Sequence, residues 1–220
     1  VAPDQTRLGF MLPYTPLHLL LLEPALGYPE VLVMTSGNLS EEPIAYENAE
    51  ARERLESLAD GFLMHDRPIY MRIDDSVVTM LRDKPYLVRR ARGFAPQQLR
   101  LPWDAVPLLA TGTELKNTFC LTRERYAFVS HYIGDLENQE TLSSFEQAIH
   151  HYERVFRIQP EALACDLHPD YLATRYAQAR SRAESLPLVA VQHHHAHIAS
   201  CLAENGWASP EPVIGLAYDG

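Results

Sequence analysis

The densest group of chemistry-bearing side chains is His193-His194-His195-Ala196-His197, which holds four of the chain's ten histidines. On a helix His193 and His197 stand four residues apart, so their imidazoles project from one face about a turn from each other. Two neutral imidazoles so placed make half of a transition-metal site for zinc or iron, which needs a further ligand, typically a carboxylate. The spacing alone fits an exposed His-rich helix start equally well. A zinc protease is disfavoured, because the HExxH pattern needs Glu where His194 stands. Cys201, four residues after His197, is on the same face, but small buried hydrophobe is the commoner role of an isolated cysteine.

Other segments have the composition of ligand-binding turns. Thr111-Gly112-Thr113-Glu114-Leu115-Lys116-Asn117-Thr118 joins two apolar runs and offers backbone N–H groups, hydroxyls and a cation to a phosphate. It lacks the GxxxxGK[ST] spacing of a Walker loop, and an ordinary hairpin turn is the simpler reading. Asp219-Gly220 follows a later apolar run, and two such turns converging on a nucleotide are the pattern of actin- and sugar-kinase-like folds. Earlier, Thr35-Ser36-Gly37-Asn38 follows the apolar residues 31–34, at the kind of strand end where α/β sheets bind ligands; it is also a default turn composition. Arg89, Arg90 and Arg92 suit bidentate contact with a polyphosphate or form a solvated charge run. Asp74 and Asp75 either hold Mg²⁺ on a nucleotide or pair with those arginines. His168, in Asp-Leu-His-Pro-Asp-Tyr, is a site residue or part of a helix-start turn.

The elements that must carry these residues read as mixed α/β. Helices are expected at 15–22, 48–59, 138–156 and 170–184, with another after residue 192. The third carries Leu142, Phe145, Ile149, Tyr152 and Phe156 at three- and four-residue spacing. Strands are expected at 31–34, 61–64, 76–81, 86–88, 108–111, 118–122, 126–130, 162–166, 188–191 and 213–217. Pro96, Pro102 and Pro107 interrupt any period between 93 and 107, which reads as a linker. The expected division is residues 1–98, a linker at 99–106, and 107–220.

The chain has 220 residues, 46% hydrophobic and 22% charged, enough for two modest domains. Its formal charge of −10 argues against a nucleic-acid coat or a surface for anionic lipid. No apolar run is long enough to span a bilayer. Three widely spaced cysteines, with no CxxC, argue against a disulfide framework, and with no signal-like leader the expected location is the cytoplasm. A strand ending in Asp-Gly normally continues into a further element, so the chain reads as an excerpt of a longer protein.

The sequence resembles the HypF family of carbamoyltransferases, which act in nickel–iron hydrogenase maturation. The resemblance is carried by GFMLPYTPLH (9–18), LVMTSGNLS (32–40), ADGFLMHDRPI (59–69), RIDDSVV (72–78), RRARGFAP (89–96), GTELKNTFCL (112–121), DLHPDY (166–171) and QHHHAHIASCLAE (192–204). It implies the later part of a YrdC-like, ATP-binding domain up to about residue 98. From about 107 it implies the first part of a Kae1-like domain of the actin and sugar-kinase class. It further implies formation of carbamoyl-adenylate from carbamoyl phosphate and ATP, followed by transfer to the C-terminal cysteine of a protein partner, HypE.

By the same resemblance Ser36 and Asn38 bind ATP, with Ser76, Arg89 and Arg90 nearer its phosphates. Lys116, Asn117, Asp219 and Gly220 line a second nucleotide site, and His193 and His197 hold the metal, whose third ligand is expected beyond residue 220. The segment alone is expected to be inactive. Two rivals remain: threonylcarbamoyl transfer to tRNA, which uses the same domain types, and a non-catalytic nucleotide- or metal-binding module. RRARGF, QHHHAH and the acidic charge favour the first reading over the tRNA enzymes.

Overall fold

The computed structural model describes residues 3–39 and 42–219. The chain forms two compact units, Val1–Ser36 and Gly37–Gly220. In the first, helix α1 (Pro16–Leu21) starts with proline in its first turn, where a missing N–H costs nothing. Thr15 caps it, its Oγ1 accepting the His18 N–H at 3.2 Å. Residues 31–34, expected as a strand, are not one: Val31 and Val33 are 82% and 76% exposed, and no described residue pairs with them. An apolar run becomes a strand only where a ladder partner meets it.

In the second unit, helix α2 (Asn48–Leu55) is followed by the hairpin β1 (Val77–Leu81) and β2 (Lys84–Arg89). Arg82 and Asp83 at its tip have φ of 49° and 62°, the left-handed pair that matches strand twist in a tight hairpin. Residues 61–64, also expected as a strand, are irregular. Arg72 ties this region to the next: its guanidinium donates to the Ile44 carbonyl at 2.6 Å, to Glu50 at 3.1 Å and to Ser144 Oγ.

The expected linker at 99–106 is strand instead. β3 (Leu99–Ala110) pairs antiparallel with β4 (Cys120–Val129), and the register shifts between Arg100 and Ala105 and between Ala105 and Leu108. Pro102 and Pro107 fall within those two gaps, where their missing N–H groups leave no rung unpaired. β4 folds back on itself. Ser130 N–H reaches the Phe119 carbonyl at 2.8 Å, whereas a straight ten-residue strand would be roughly 30 Å long. The reversal is at Glu124, whose φ is 54°, so the two strands expected at 118–122 and 126–130 are the arms of one hairpin.

β5 (Ala162–Asp166) and β6 (Leu188–Val191) complete a four-stranded sheet of order β4-β3-β5-β6, with β3, β5 and β6 parallel. Helices α3 (Gln139–Phe156) and α4 (Leu172–Glu184) make the connections, each ending on a left-handed residue, Arg157 and Ser185. The apolar face of α3 supplies Phe145, Ala148, Ile149 and Tyr152 to a core that includes Leu109, Phe119, Leu121 and Leu163. Phe119 meets Phe145 and Tyr152 edge-on, with ring centroids 5.9 and 5.0 Å apart. Helix α5 (His193–Glu204) leaves the end of β6. Residues 213–217, expected as a strand, run without a ladder. The fold is mixed α/β, and no helix among the described residues is long and apolar enough to cross a membrane. All three cysteines are free thiols.

Candidate metal centre and neighbouring loops

Because β3, β5 and β6 are parallel, their carboxyl ends lie along one edge, the edge at which open α/β sheets bind ligands. β3 runs into the loop 111–118, β5 ends at Asp166, and β6 opens α5 at His193. Gln192 caps that helix, its Oε1 accepting the His195 N–H at 3.0 Å. With the helix started there, His193 and His197 share a face, and their Nε2 atoms are 3.1 Å apart.

The third member is Asp219. Its Oδ2 lies 2.8 Å from His193 Nε2 and 3.2 Å from His197 Nε2. On the other side of the His193 ring, Nδ1 lies 2.8 Å from Oδ2 of the buried Asp166. An ionised carboxylate only accepts hydrogen bonds, so Nδ1 carries the proton and donates it. In the neutral ring Nε2 then brings a lone pair to the cluster, beside an anionic oxygen and a second imidazole. Such atoms this close call for a proton or cation among them. A tetrahedral ion with bonds of about 2.0–2.1 Å would set its ligand atoms about 3.4 Å apart, a few tenths more than observed. The residues therefore fit a transition metal, which would also satisfy the carboxylate–histidine–metal arrangement common in such sites. Without an ion, the two carboxylates favour a proton in its place. The hydrogen bond to Asp166 raises the His193 pKa, and the hydrogen bond with His197 lowers that of Asp219.

Asp219, expected with Lys116 and Asn117 at a second nucleotide site, has its carboxylate beside the two histidines. Gly220 lies outside the described residues. Cys201 is exposed and is not among the converging atoms. His168 stacks on Tyr171 at 4.2 Å and donates its backbone N–H to Asp166 Oδ1 at 2.8 Å.

Among the loop residues, Lys116 is exposed with φ of 49°, and its N–H donates to Asp135 at 2.6 Å. Asn117 is buried, and its amide donates to the carbonyls of Thr111 at 3.0 Å and Thr113 at 2.5 Å, so it staples the loop from inside. Gly112 has φ of 72°, and a Cβ there would meet the Thr118 carbonyl oxygen at 2.2 Å. Lys116 presents a cation at the loop surface, while Asn117 shapes the loop.

Ser36 is exposed, and Asn38 is half-buried with its amide on the Leu39 carbonyl. Ser76 is committed to backbone: Oγ accepts the Ala91 N–H at 2.8 Å and donates to the Arg92 carbonyl at 2.9 Å. Arg89 lies over the Tyr132 ring at 4.7 Å with Asp74 3.6 Å away, and Arg92 is 3.6 Å from Asp75. The aspartates thus face arginines. Burial raises the Asp74 pKa, and burial lowers that of Arg90, which donates to the Gln97 carbonyl at 2.5 Å. Asp166 was not singled out by sequence, since only the β5–β6 register brings it to His193.

The class follows from comparison with known sequences. Residues 104–204 match the family model described as "HypF Kae1-like domain", and residues 1–91 match the one described as "Telomere recombination", the Sua5/YciO/YrdC group. The whole chain is 48% identical to the carbamoyltransferase HypF2 of Cupriavidus necator and 45% identical to the carbamoyltransferase HypF of Synechocystis. It spans 29% and 28% of their respective lengths. Among solved structures, a full-length HypF in its phosphate- and nucleotide-bound form superposes with a TM-score of 0.84 at 48% identity, over 96% of this chain and 32% of that one. HypF of T. kodakarensis gives 0.73 at 36% identity, over 78% of this chain and 23% of that one. This chain belongs to the HypF family.

Proposed function

We propose that the chain supplies part of an ATP-dependent carbamoyltransferase of nickel–iron hydrogenase maturation. In this reading carbamoyl phosphate and ATP are the substrates, carbamoyl-adenylate is the intermediate and the C-terminal cysteine of HypE is the acceptor. The observation that carries it is the convergence of His193 Nε2, His197 Nε2 and Asp219 Oδ2 at the carboxyl edge of the parallel strands, in a chain whose relatives are named carbamoyltransferases.

Residues 1–98 contribute to the adenylate-forming part, and residues 107–220 to the transfer part. Ser36 and Asn38 contact ATP, while Arg89 and Arg90 set a positive field near its phosphates, with Mg²⁺ as the nucleotide's counter-ion. Adenylation turns a poor leaving group into a good one, so a thiolate can attack the carbamoyl carbon. His193, His197 and Asp219 hold a zinc or iron ion, which when bound polarises the carbonyl oxygen. Lys116 offers its ammonium to a second nucleotide's phosphate, with Asn117 holding the loop in shape. The reaction is placed in the cytoplasm, with no membrane or nucleic acid taking part.

ATP–pyrophosphate exchange by a full-length chain carrying this sequence tests the reading. Exchange is expected with carbamoyl phosphate and not with threonine plus bicarbonate. The reverse result would move the chain to tRNA modification, and exchange with neither would leave a binding module. The 220-residue chain by itself is expected to show no turnover.

A further inference from the structure

We propose that Asp166 is a positioning residue: its carboxylate fixes the tautomer and ring orientation of His193, so that the Nε2 lone pair faces His197 and Asp219. The inference rests on reading that cluster as a metal centre, but its first test does not need the metal.

The device is built into the sheet. Asp166 is the last residue of β5, and the parallel ladder sets it opposite Val191, two residues before His193. Leu167 N–H extends the ladder to the Val191 carbonyl at 3.0 Å, and Thr174 Oγ1 donates to the Asp166 carbonyl at 3.2 Å. The side chain is 7% exposed, and both of its oxygens are used. Oδ1 accepts the His168 N–H at 2.8 Å, which turns Oδ2 towards His193 Nδ1, also at 2.8 Å. His197 is held differently: among the described residues its ring nitrogen bonds only within the cluster. One imidazole is thus fixed to the sheet, and the other is carried by the helix alone.

Asp166→Asn is nearly isosteric and separates charge from shape. With its oxygen kept on the His168 N–H, the amide turns an N–H towards His193 Nδ1. That favours the Nε2–H tautomer and blocks the lone pair a metal needs.

The experiment is ¹⁵N NMR of the histidine rings in the metal-free full chain, at alkaline pH where the rings are neutral, followed by titration with Zn²⁺. The wild type is expected to show Nδ1–H at His193 and Asp166→Asn to shift it to Nε2–H, with zinc affinity falling about 10- to 100-fold. Asp166→Glu keeps a carboxylate and is expected to retain the Nδ1–H signal even where it melts earlier. An unchanged tautomer in Asp166→Asn would overturn the proposal, as would a shifted tautomer with unchanged zinc affinity. A tautomer shift in a chain that binds no zinc, wild type included, would sustain Asp166's hold on the ring and overturn the metal reading alone.

Discussion

A Cβ placed on Gly215 would lie 2.5 Å from Cγ1 of Ile198 and 2.9 Å from its Cγ2, so the backbone of residues 213–217 lies directly on helix α5. Ile198 is β-branched and follows His197, and its stiff side chain cannot swing aside. The segment that ends in Asp219 therefore depends on glycine at this point to bring its carboxylate to the histidines. Gly215→Ala is expected to weaken zinc binding by about tenfold or more, as loss of a positioning contact commonly does. Ile198→Ala in the same chain should restore much of it by opening the space. Zinc titration of the single and double variants checks this, and equal loss in both would remove the steric account.

Ser76→Ala is expected to destabilise the chain by about 1–3 kcal/mol, because it leaves the N–H of the fully buried Ala91 without its acceptor. Urea unfolding of the two proteins measures it. A drop in nucleotide affinity without any loss of stability would instead give Ser76 a direct part in binding.

Asn117→Asp replaces two donated hydrogen bonds with a carboxylate facing the carbonyls of Thr111 and Thr113. The expected cost is about 2–4 kcal/mol, seen as a lower thermal midpoint, since a buried charge opposite two acceptors has nothing to pair with. Lys116→Ala, by contrast, removes an exposed side chain and should leave the midpoint nearly unchanged.

His131 is buried, and burial, with the neighbouring His151, pushes its pKa down to about 4 from an ordinary 6.5. Below pH 6.5 the unfolded chain takes up a proton that the native chain refuses until about pH 4. Stability attributable to this residue is therefore fully present above 6.5 and is lost as pH falls across that window, by roughly 3 kcal/mol. His131→Phe removes the titration, so its stability relative to wild type should rise between pH 7 and pH 4.5. Urea midpoints at the two pH values test the difference.

The elements that periodicity defines locally were legible: α3, β5, α4, β6 and the His-bearing α5 lie close to where their patterns put them. The misses share one cause. Residues 31–34, 61–64 and 213–217 have strand composition but no strand partner among the described residues, and pairing is not written in a single segment. Residues 99–106 failed in the opposite way, since Pro102 and Pro107 read as breakers although they occupy gaps in the ladder. At the site, His193 and His197 followed from a four-residue spacing. That Asp219 and Asp166 join them is not legible in the sequence, because both reach the cluster through packing of distant segments.

His197 and Asp219 are 22 residues apart in sequence, and the chain between them runs through the exposed residues 204–216. An ion gripping both ends would act as a cross-link, much as a disulfide does, by removing conformations from the unfolded chain. Closing a loop of that length contributes about 3 kcal/mol on chain-entropy grounds. Metal loading would then set how firmly residues 205–219 stay docked on α5, and metal scarcity would show first as increased protease sensitivity between α5 and Asp219.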